Sequence, residues 1–286
     1  MRTIKRVGII VNPKISTVPV VIQELENWFR ERNIEFELDN ETASIVNRQG
    51  IPKSEIPKCC DLIVAMGGDG TLLSVARILK THLVPILAVN LGSLGFLTEI
   101  TLEEMFPTLE LVIAGKATLQ QRMMIDVSVI RAGKCINSYQ GLNDVVINKG
   151  VLARIIDINV KIDNNFVATY KADGIIVGTP TGSTAYTLSA GGSILYPTLD
   201  AMVVTPIASH TLTFRSLVVP DSSVVELSLK PTQESIFMTV DGQIGLNLQG
   251  KDRVSVKKSS NYVELIQSPE KSFFDILRQK LKWGER

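Results

Sequence analysis

Leu62-Ile63-Val64-Ala65-Met66-Gly67-Gly68-Asp69-Gly70-Thr71-Leu72-Leu73-Ser74-Val75-Ala76-Arg77-Ile78-Leu79 is the stretch from which the rest of the chain can be read. A short apolar run predicts a buried strand, the glycines a tight turn, and the apolar spacing after Thr71 a helix. Glycines let backbone N–H groups approach a phosphate, and a helix N-terminus adds partial positive charge. A carboxylate in such a turn repels phosphate, so Asp69 needs a role of its own. Taking a proton from a hydroxyl suits it, and so does helping to hold a metal ion beside phosphates. The plain alternative makes Asp-Gly an ordinary turn pair and Thr71 the helix N-cap.

Working outward, the residues before and after this stretch repeat its alternation. Arg6–Val11 reads as a strand ended by Asn12-Pro13, and Val18, Val21, Ile22, Leu25, Trp28 and Phe29 as one helix face with Glu24, Glu26 and Arg30 outside. Ile34, Phe36 and Leu38 predict a strand with one wet face, and the polar segment from Thr42 to Lys58 an irregular connection. Val84–Asn90 is a further buried strand, followed by the loop Gly92-Ser93-Leu94-Gly95 and a helix from Thr101 to Ala114. Alternating strands and helices predict a doubly wound, mostly parallel α/β sheet, whose ligands sit beyond the carboxyl ends of the strands. Gly67–Thr71 and Asn90–Gly95 both fall there.

After Gly115 the pattern becomes all-β. Short alternating runs at 125–129, 156–162, 225–229, 236–240 and 254–256, with turns between them, predict a β-sandwich-like domain. The expected division is an α/β domain over 1–115 and a β-rich domain over 116–267. A C-terminal helix over 268–286 returns to the first domain, with Ser268-Pro269 as N-cap and N1 and Phe273, Phe274, Leu277 and Leu281 as its stripe.

Composition bounds the function. The chain has 286 residues, 45% apolar and 21% charged, with a net charge of +1. That balance gives no basic surplus for nucleic acid, and no run is long enough to span a bilayer. No signal peptide is evident, so a cytoplasmic protein is expected. Cys59, Cys60 and Cys135 lack zinc-ligand spacing and are odd in number, which predicts buried, reduced thiols. His82 and His210 lie far apart, without partners at ligand spacing.

A second constellation follows Asp173-Gly174-Ile175-Ile176-Val177-Gly178, a strand that delivers Thr179-Pro180-Thr181-Gly182-Ser183-Thr184-Ala185-Tyr186 to a short helix over Ser183–Ala190. Its hydroxyls and N–H groups suit ribose or phosphate, and Tyr186 offers a stacking face. An ST-rich cap explains one or two of those hydroxyls rather than four in a row. Asn143-Asp144 could bind a base or paired ribose hydroxyls but taken alone reads as a turn, and Asp241-Gly242-Gln243 reads as a hairpin turn. There is no P-loop and no protein-kinase signature, and Leu73 stands where G-x-G-x-x-G needs its third glycine.

With these motifs in hand, the sequence resembles the NAD kinases. The resemblance rests on Gly67–Thr71, Asn90–Leu97, Asn143-Asp144, Thr179–Tyr186 continuing through Ser189-Ala190-Gly191-Gly192, Pro206–Arg215 and Ser272–Trp283, and covers nearly the whole chain. It implies transfer of the terminal phosphoryl group of ATP, or in some members polyphosphate, to the adenosine ribose 2′-hydroxyl of NAD. It also implies a divalent metal, usually magnesium, and a homodimer or homotetramer with sites near subunit interfaces. By matching positions Asp69 is the proton acceptor, Gly67, Gly68, Gly70 and Thr71 form the phosphate loop, and Gly70 lines the NAD site. Asn143, Asp144, Arg154, Lys171, Asp173, Thr184, Ala185, Tyr186, Thr187, Leu188, Ser189, Ala208 and Gln243 complete the binding surface. Ser193 departs from the family, which usually has proline there. Diacylglycerol and sphingosine kinases share Gly67–Thr71 and a β-rich second domain, and make a lipid kinase the alternative. Asn90–Leu97 separates the two, since lipid kinases carry a different glycine loop.

Overall fold

The protein is described by a computed structural model that covers residues 3–15, 17–150, 155–211, 213–230 and 235–284. In chain order its elements begin β1 (Arg6–Val11), α1 (Val18–Glu31), β2 (Glu35–Leu38), α2 (Asn40–Ile45), α3 (Ile56–Cys59), β3 (Leu62–Gly67), α4 (Asp69–Leu79), β4 (Ile86–Asn90) and α5 (Leu102–Ile113). Then come β5 (Leu119–Arg131), β6 (Lys134–Gly141), β7 (Asp144–Lys149), β8 (Ile156–Ile162), β9 (Asn165–Ala172), β10 (Gly174–Gly178), α6 (Tyr186–Ser189), β11 (Ala201–Ile207) and β12 (Leu217–Pro220). The chain closes with β13 (Val225–Leu229), β14 (Ile236–Val240), β15 (Ile244–Leu248), β16 (Arg253–Ile266) and α7 (Phe273–Leu281). It divides into two compact units, Met1–Gln121 with Val263–Arg286, and Arg122–Tyr262.

The first unit is the expected α/β half, a parallel sheet in the order β2-β1-β3-β4 with the end of β16 beside β4. β3 is buried along its whole length, as a strand covered on both faces must be. Its core joins Ile9, Val64 and Met66 of the sheet to Ile22, Leu25 and Phe29 of α1 and Met105 and Leu109 of α5. Each such side chain stabilises the fold by about 1.5–3 kcal/mol on burial. Gly67 pairs with Asn90, so β3 and β4 end level and deliver their two loops side by side.

Several local expectations are corrected here. Glu26 is buried on α1, not outside, and is held by Arg48 and by Arg30 at 3.9 Å. A buried carboxylate is tolerable when so paired. The segment from Thr42 to Lys58 is irregular only over 46–52; the end of α2, a 3-10 turn over Lys53–Glu55 and α3 take up the rest. Asp39 caps α2 by accepting from Thr42 N at 3.2 Å, while Thr42 Oγ1 accepts from Val11 N at 2.9 Å. Polar residues satisfied in this way leave no apolar periodicity to read. Helix α4 is capped by Gly68 rather than Thr71. Cys60 is buried, but Cys59 and Cys135 are exposed. The last helix starts at Ser272, whose hydroxyl forms a capping box with Asp275, and it buries Ile276 and Leu277 while Phe274 faces solvent. Ser268 instead donates its N–H to Glu99 Oε1 at 2.7 Å, and Lys271 Nζ donates to Glu104 at 2.6 Å. These contacts pin the C-terminal segment to the start of α5.

The second unit is the expected sandwich. One antiparallel sheet runs β12-β11-β10-β7-β14-β15. Against it lie β13, β8 and β9 with the unit's portion of β16 and the β5–β6 hairpin. Ile147, Ile175, Val177 and Val204 from one layer meet Val127, Ile158, Val160 and Leu227 from the other. Asp241 and Gly242 have φ of 52° and 62° in the three-residue loop between Val240 and Ile244, and Asp163-Asn164, at 50° and 64°, forms the left-handed pair of a two-residue hairpin turn. No helix among the described residues is long and apolar enough to cross a membrane.

Candidate active site

In the first unit the site is built around Asp69, half-buried at the start of α4. Gly67 before it has a φ of +156°, and a side chain there would collide with the Thr71 hydroxyl, so the turn requires glycine. The Asp69 carboxylate reaches the neighbouring loop. Oδ1 accepts from Leu97 N at 3.1 Å, Thr98 N at 3.0 Å and Thr98 Oγ1 at 3.1 Å, whereas among the described residues Oδ2 accepts only from Phe96 N, at 3.0 Å. Oδ1 is saturated; Oδ2 keeps capacity for a further donor. Asn90 braces the same loop, accepting from Gly92 N at 2.7 Å and donating to Ser93 O at 2.7 Å and Thr98 Oγ1 at 3.0 Å. A side chain on Gly95 would overlap Asp69 Oδ1 and Thr98 Oγ1, so the loop comes this close only because residue 95 has none. Lys280 of α7 lies over the Phe96 ring, 5.6 Å from its centre.

In the second unit Asn143 and Asp144 lead into β7. Their backbone is held by Asp241, whose carboxylate accepts from Leu142 N at 2.9 Å, Asn143 N at 2.7 Å and Asp144 N at 3.2 Å. Burial, with the Asp241 charge adding to it, pushes the Asp144 carboxyl up to about 7. Thr179 N donates to Asn143 O at 2.8 Å, and Thr179 Oγ1 donates to Leu142 O at 2.6 Å. Gly182 packs so tightly on the Asn143 carbonyl that any side chain would overlap it.

Of the four hydroxyls in this run, three have local partners. Thr179 is spent on the 142 loop, Ser183 Oγ donates to Pro180 O at 2.6 Å, and Thr184 Oγ1 donates to Thr181 O at 3.2 Å. Capping and bracing thus explain more of the run than its composition suggested. Thr181 Oγ1, Thr187 Oγ1 and Asn143 Oδ1 are different: all three are buried without a hydrogen-bond partner among the described residues. Buried polar atoms are almost always satisfied, so these three mark places for ligand or water. Tyr186 is exposed and available for stacking, Ser189 is exposed, and Ala185 and Leu188 are half-buried beside it.

The remaining site candidates form a second group. Asp173 pairs with Lys149 at 3.1 Å, and its N–H donates to Ile207 O at 3.0 Å. Lys171 O accepts from His210 N at 2.9 Å, and Ala208 between them has a φ of +44°. This group stands at one end of β10 and Thr179 at the other, about 20 Å away at strand rise. Gln243 is exposed beyond the Asp241 turn, and Arg154 lies outside the described residues. The sequence reading missed Thr98, and assigned Asp241 only a turn. Nothing local could have revealed them, because their partners lie 29 and 98 residues away.

Comparison with known proteins places both halves of the chain in one family. A family model for the ATP-NAD kinase N-terminal domain matches residues 7–117, and one for the ATP-NAD kinase C-terminal domain matches residues 142–268. The NAD kinase of Solibacter usitatus is 44% identical over 287 aligned positions, covering 100% of both chains. That of Geotalea daltonii is 47% identical over 267, covering 93% of this chain and 94% of the other. Among solved structures, yeast NADH kinase complexed with NADH superposes with a TM-score of 0.91 at 26% identity, covering 100% of this chain and 90% of that one. An Archaeoglobus fulgidus NAD kinase in complex with ATP shares the fold, with a TM-score of 0.78 at 24% identity and coverage of 97% and 98%. With both halves matched and the relatives aligned from end to end, the chain belongs to the NAD kinase family.

Proposed function

We propose that this chain transfers the terminal phosphoryl group of ATP, or of polyphosphate, to the adenosine ribose 2′-hydroxyl of NAD, yielding NADP. The observation that carries the proposal is Asp69, fixed by four hydrogen bonds at the ligand end of the sheet and retaining acceptor capacity on Oδ2. Oδ2 takes the proton as the hydroxyl attacks, which makes a poor nucleophile competent. Gly67, Gly68, Gly70 and Thr71 supply the phosphate loop. The Asn143 amide and the Asp144 carboxyl grip the nucleoside, Thr187 gains the partner that its buried hydroxyl lacks, and Tyr186 stacks on the ligand. Thr184, Ala185, Leu188, Ser189 and Gln243 border that surface, and Arg154 belongs to it by its position in the family motif. The domain assignment is likewise a proposal: a β-rich NAD-binding domain over 116–267, following the α/β domain over 1–115 in sequence and preceding the C-terminal helix over 268–286.

Among the described residues no three His, Cys, Asp or Glu side chains form a metal-holding group. That donor set still fits magnesium, which usually takes one or two carboxylates and completes its shell from phosphate oxygens and water. Magnesium held mainly by phosphate oxygens and water would leave Asp69 Oδ2 to take the proton, and the bound ion would neutralise charge on the phosphates. The two groups separated along β10 support a homodimer or homotetramer, in which Lys171, Asp173 and Ala208 serve a second copy's ligand. A lipid kinase gains no support, since the matched families and the relatives described above are all NAD or NADH kinases. Purified protein with NAD, ATP and magnesium should form NADP. No NADP with either ATP or polyphosphate would overturn the assignment.

A further inference from the structure

At the amino-terminal edge of the first unit's sheet, away from the Asp69 turn, a cavity of about 300 Å³ is lined by Ile4, Cys60, Asp61, Leu83, Val84, Pro85, Leu119 and Glu264. Cys60 follows directly on exposed Cys59 at the end of α3, and the two sulfurs lie 3.7 Å apart. We propose that Cys59 and Cys60 form a vicinal dithiol site that captures a trivalent arsenical, with the apolar substituent of the arsenical seated in this cavity.

The spacing selects the ligand. Adjacent trans residues hold their Cα atoms about 3.8 Å apart, short of the ~4.4 Å minimum usual for a disulfide, so direct S–S closure is disfavoured. One bridging atom fits instead. Bonds of about 2.3 Å, the length of zinc–thiolate bonds, span the observed 3.7 Å at an angle of about 107°. Zinc itself wants four ligands, and among the described residues no third or fourth His, Cys, Asp or Glu joins the pair. A two-coordinate mercuric ion prefers a straight S–Hg–S line. Trivalent arsenic carrying one organic group is pyramidal and takes two sulfurs at a smaller angle, so the pair needs to close only slightly from 3.7 Å, and Ile4, Leu83, Val84, Pro85 and Leu119 offer that group an apolar wall.

The step balances without an oxidant. An arsenoxide, R–As=O, forms two As–S bonds and loses its As–O bond, and the two thiol protons leave with the oxygen as one water. Arsenic stays trivalent. Exposed Cys59 reacts first, and Cys60 closes the ring in an intramolecular step. Burial, with Cys59 beside it, pushes the Cys60 thiol up, so it arrives carrying the proton the departing oxygen needs.

The test uses the full reduced chain, one equivalent of phenylarsine oxide and intact-mass measurement in excess glutathione. The wild type should retain one C6H5As unit in place of two hydrogens, and 2,3-dimercaptopropanol should strip it. Cys59→Ser and Cys60→Ser should each hold the arsenical at least ~10²-fold more weakly, because chelation is lost. Cys135→Ser should behave as wild type. Inorganic arsenite, lacking the aryl group, should be retained less well. A wild type without adduct, an adduct that survives in Cys59→Ser, or one that needs Cys135 would overturn the site. Equal retention of arsenite would remove the cavity from it. Should Cys60→Ser fail to fold, the exposed Cys59→Ser variant decides alone.

Discussion

Asp69 places two demands on one carboxylate: Oδ1 holds the loop and Oδ2 remains open to the substrate proton. Asp69→Asn should therefore do more than remove a base. Its amide oxygen can keep the three donors of Oδ1, but its NH2 would then confront the Phe96 N–H. We expect a kcat loss of ~10²–10⁴, the usual contribution of a positioned base, with the melting temperature lowered slightly. Turnover, NAD binding and a thermal melt across a magnesium titration check this; activity within a few-fold of wild type removes Asp69 from the chemistry, and recovery by extra magnesium makes it chiefly a metal ligand. Asp144 gives a pH signature. Its carboxyl sits near 7 in the folded protein against 3.8 ordinarily, so the native state holds this proton more tightly than the unfolded chain. The resulting stability is complete below about pH 4 and is lost as the pH rises through 7. Asp144→Asn should flatten that part of the stability profile. Melts of both proteins from pH 5 to 8 with equal slopes would contradict it.

At the scale of elements, the strand–turn–helix of 62–79 was legible because an apolar run, three glycines and a helical stripe all point the same way. The alternation of β8, β13 and β14 was legible for a similar reason. Helices α2 and α3 were not, since their stabilising contacts are polar caps and short apolar touches rather than a stripe. The site was half legible. Motifs located the turn and the hydroxyl run, but which hydroxyls are spent on the backbone depends on Leu142 and Leu195, far away in sequence. The loop after β4 offers a paired test. Gly95→Ala must displace the Asp69 carboxylate, whereas at Gly92 an added Cβ meets nothing within 4 Å. Gly95→Ala should lower kcat by about 10²-fold, the effect of misplacing a reacting group by about an ångström. Gly92→Ala should be silent, and equal kinetics for the two variants would refute the close packing.

For the whole molecule, the second unit is one continuous segment, while the first is made from both ends of the chain. The composition pattern made this legible through its late return to a helical stripe, but not the role of Val263, Leu265 and Ile266, which are buried in the first unit as the end of a strand. Ending the chain at Tyr262 should leave the second unit folded and the first protease-sensitive, because Leu265, Ser268, Lys271 and α7 all leave with the deleted piece. Limited proteolysis with cleavage no different from the intact chain would disprove this. The arrangement also sets a timetable during synthesis. Strand β4 is made early, yet its partner at Ile86, Leu265, emerges only after the whole of 122–262. At 5–20 residues per second that is a delay on the order of ten seconds. Each nascent chain therefore carries an open sheet edge while the ribosome completes the unit between, and that interval is when it most needs a chaperone.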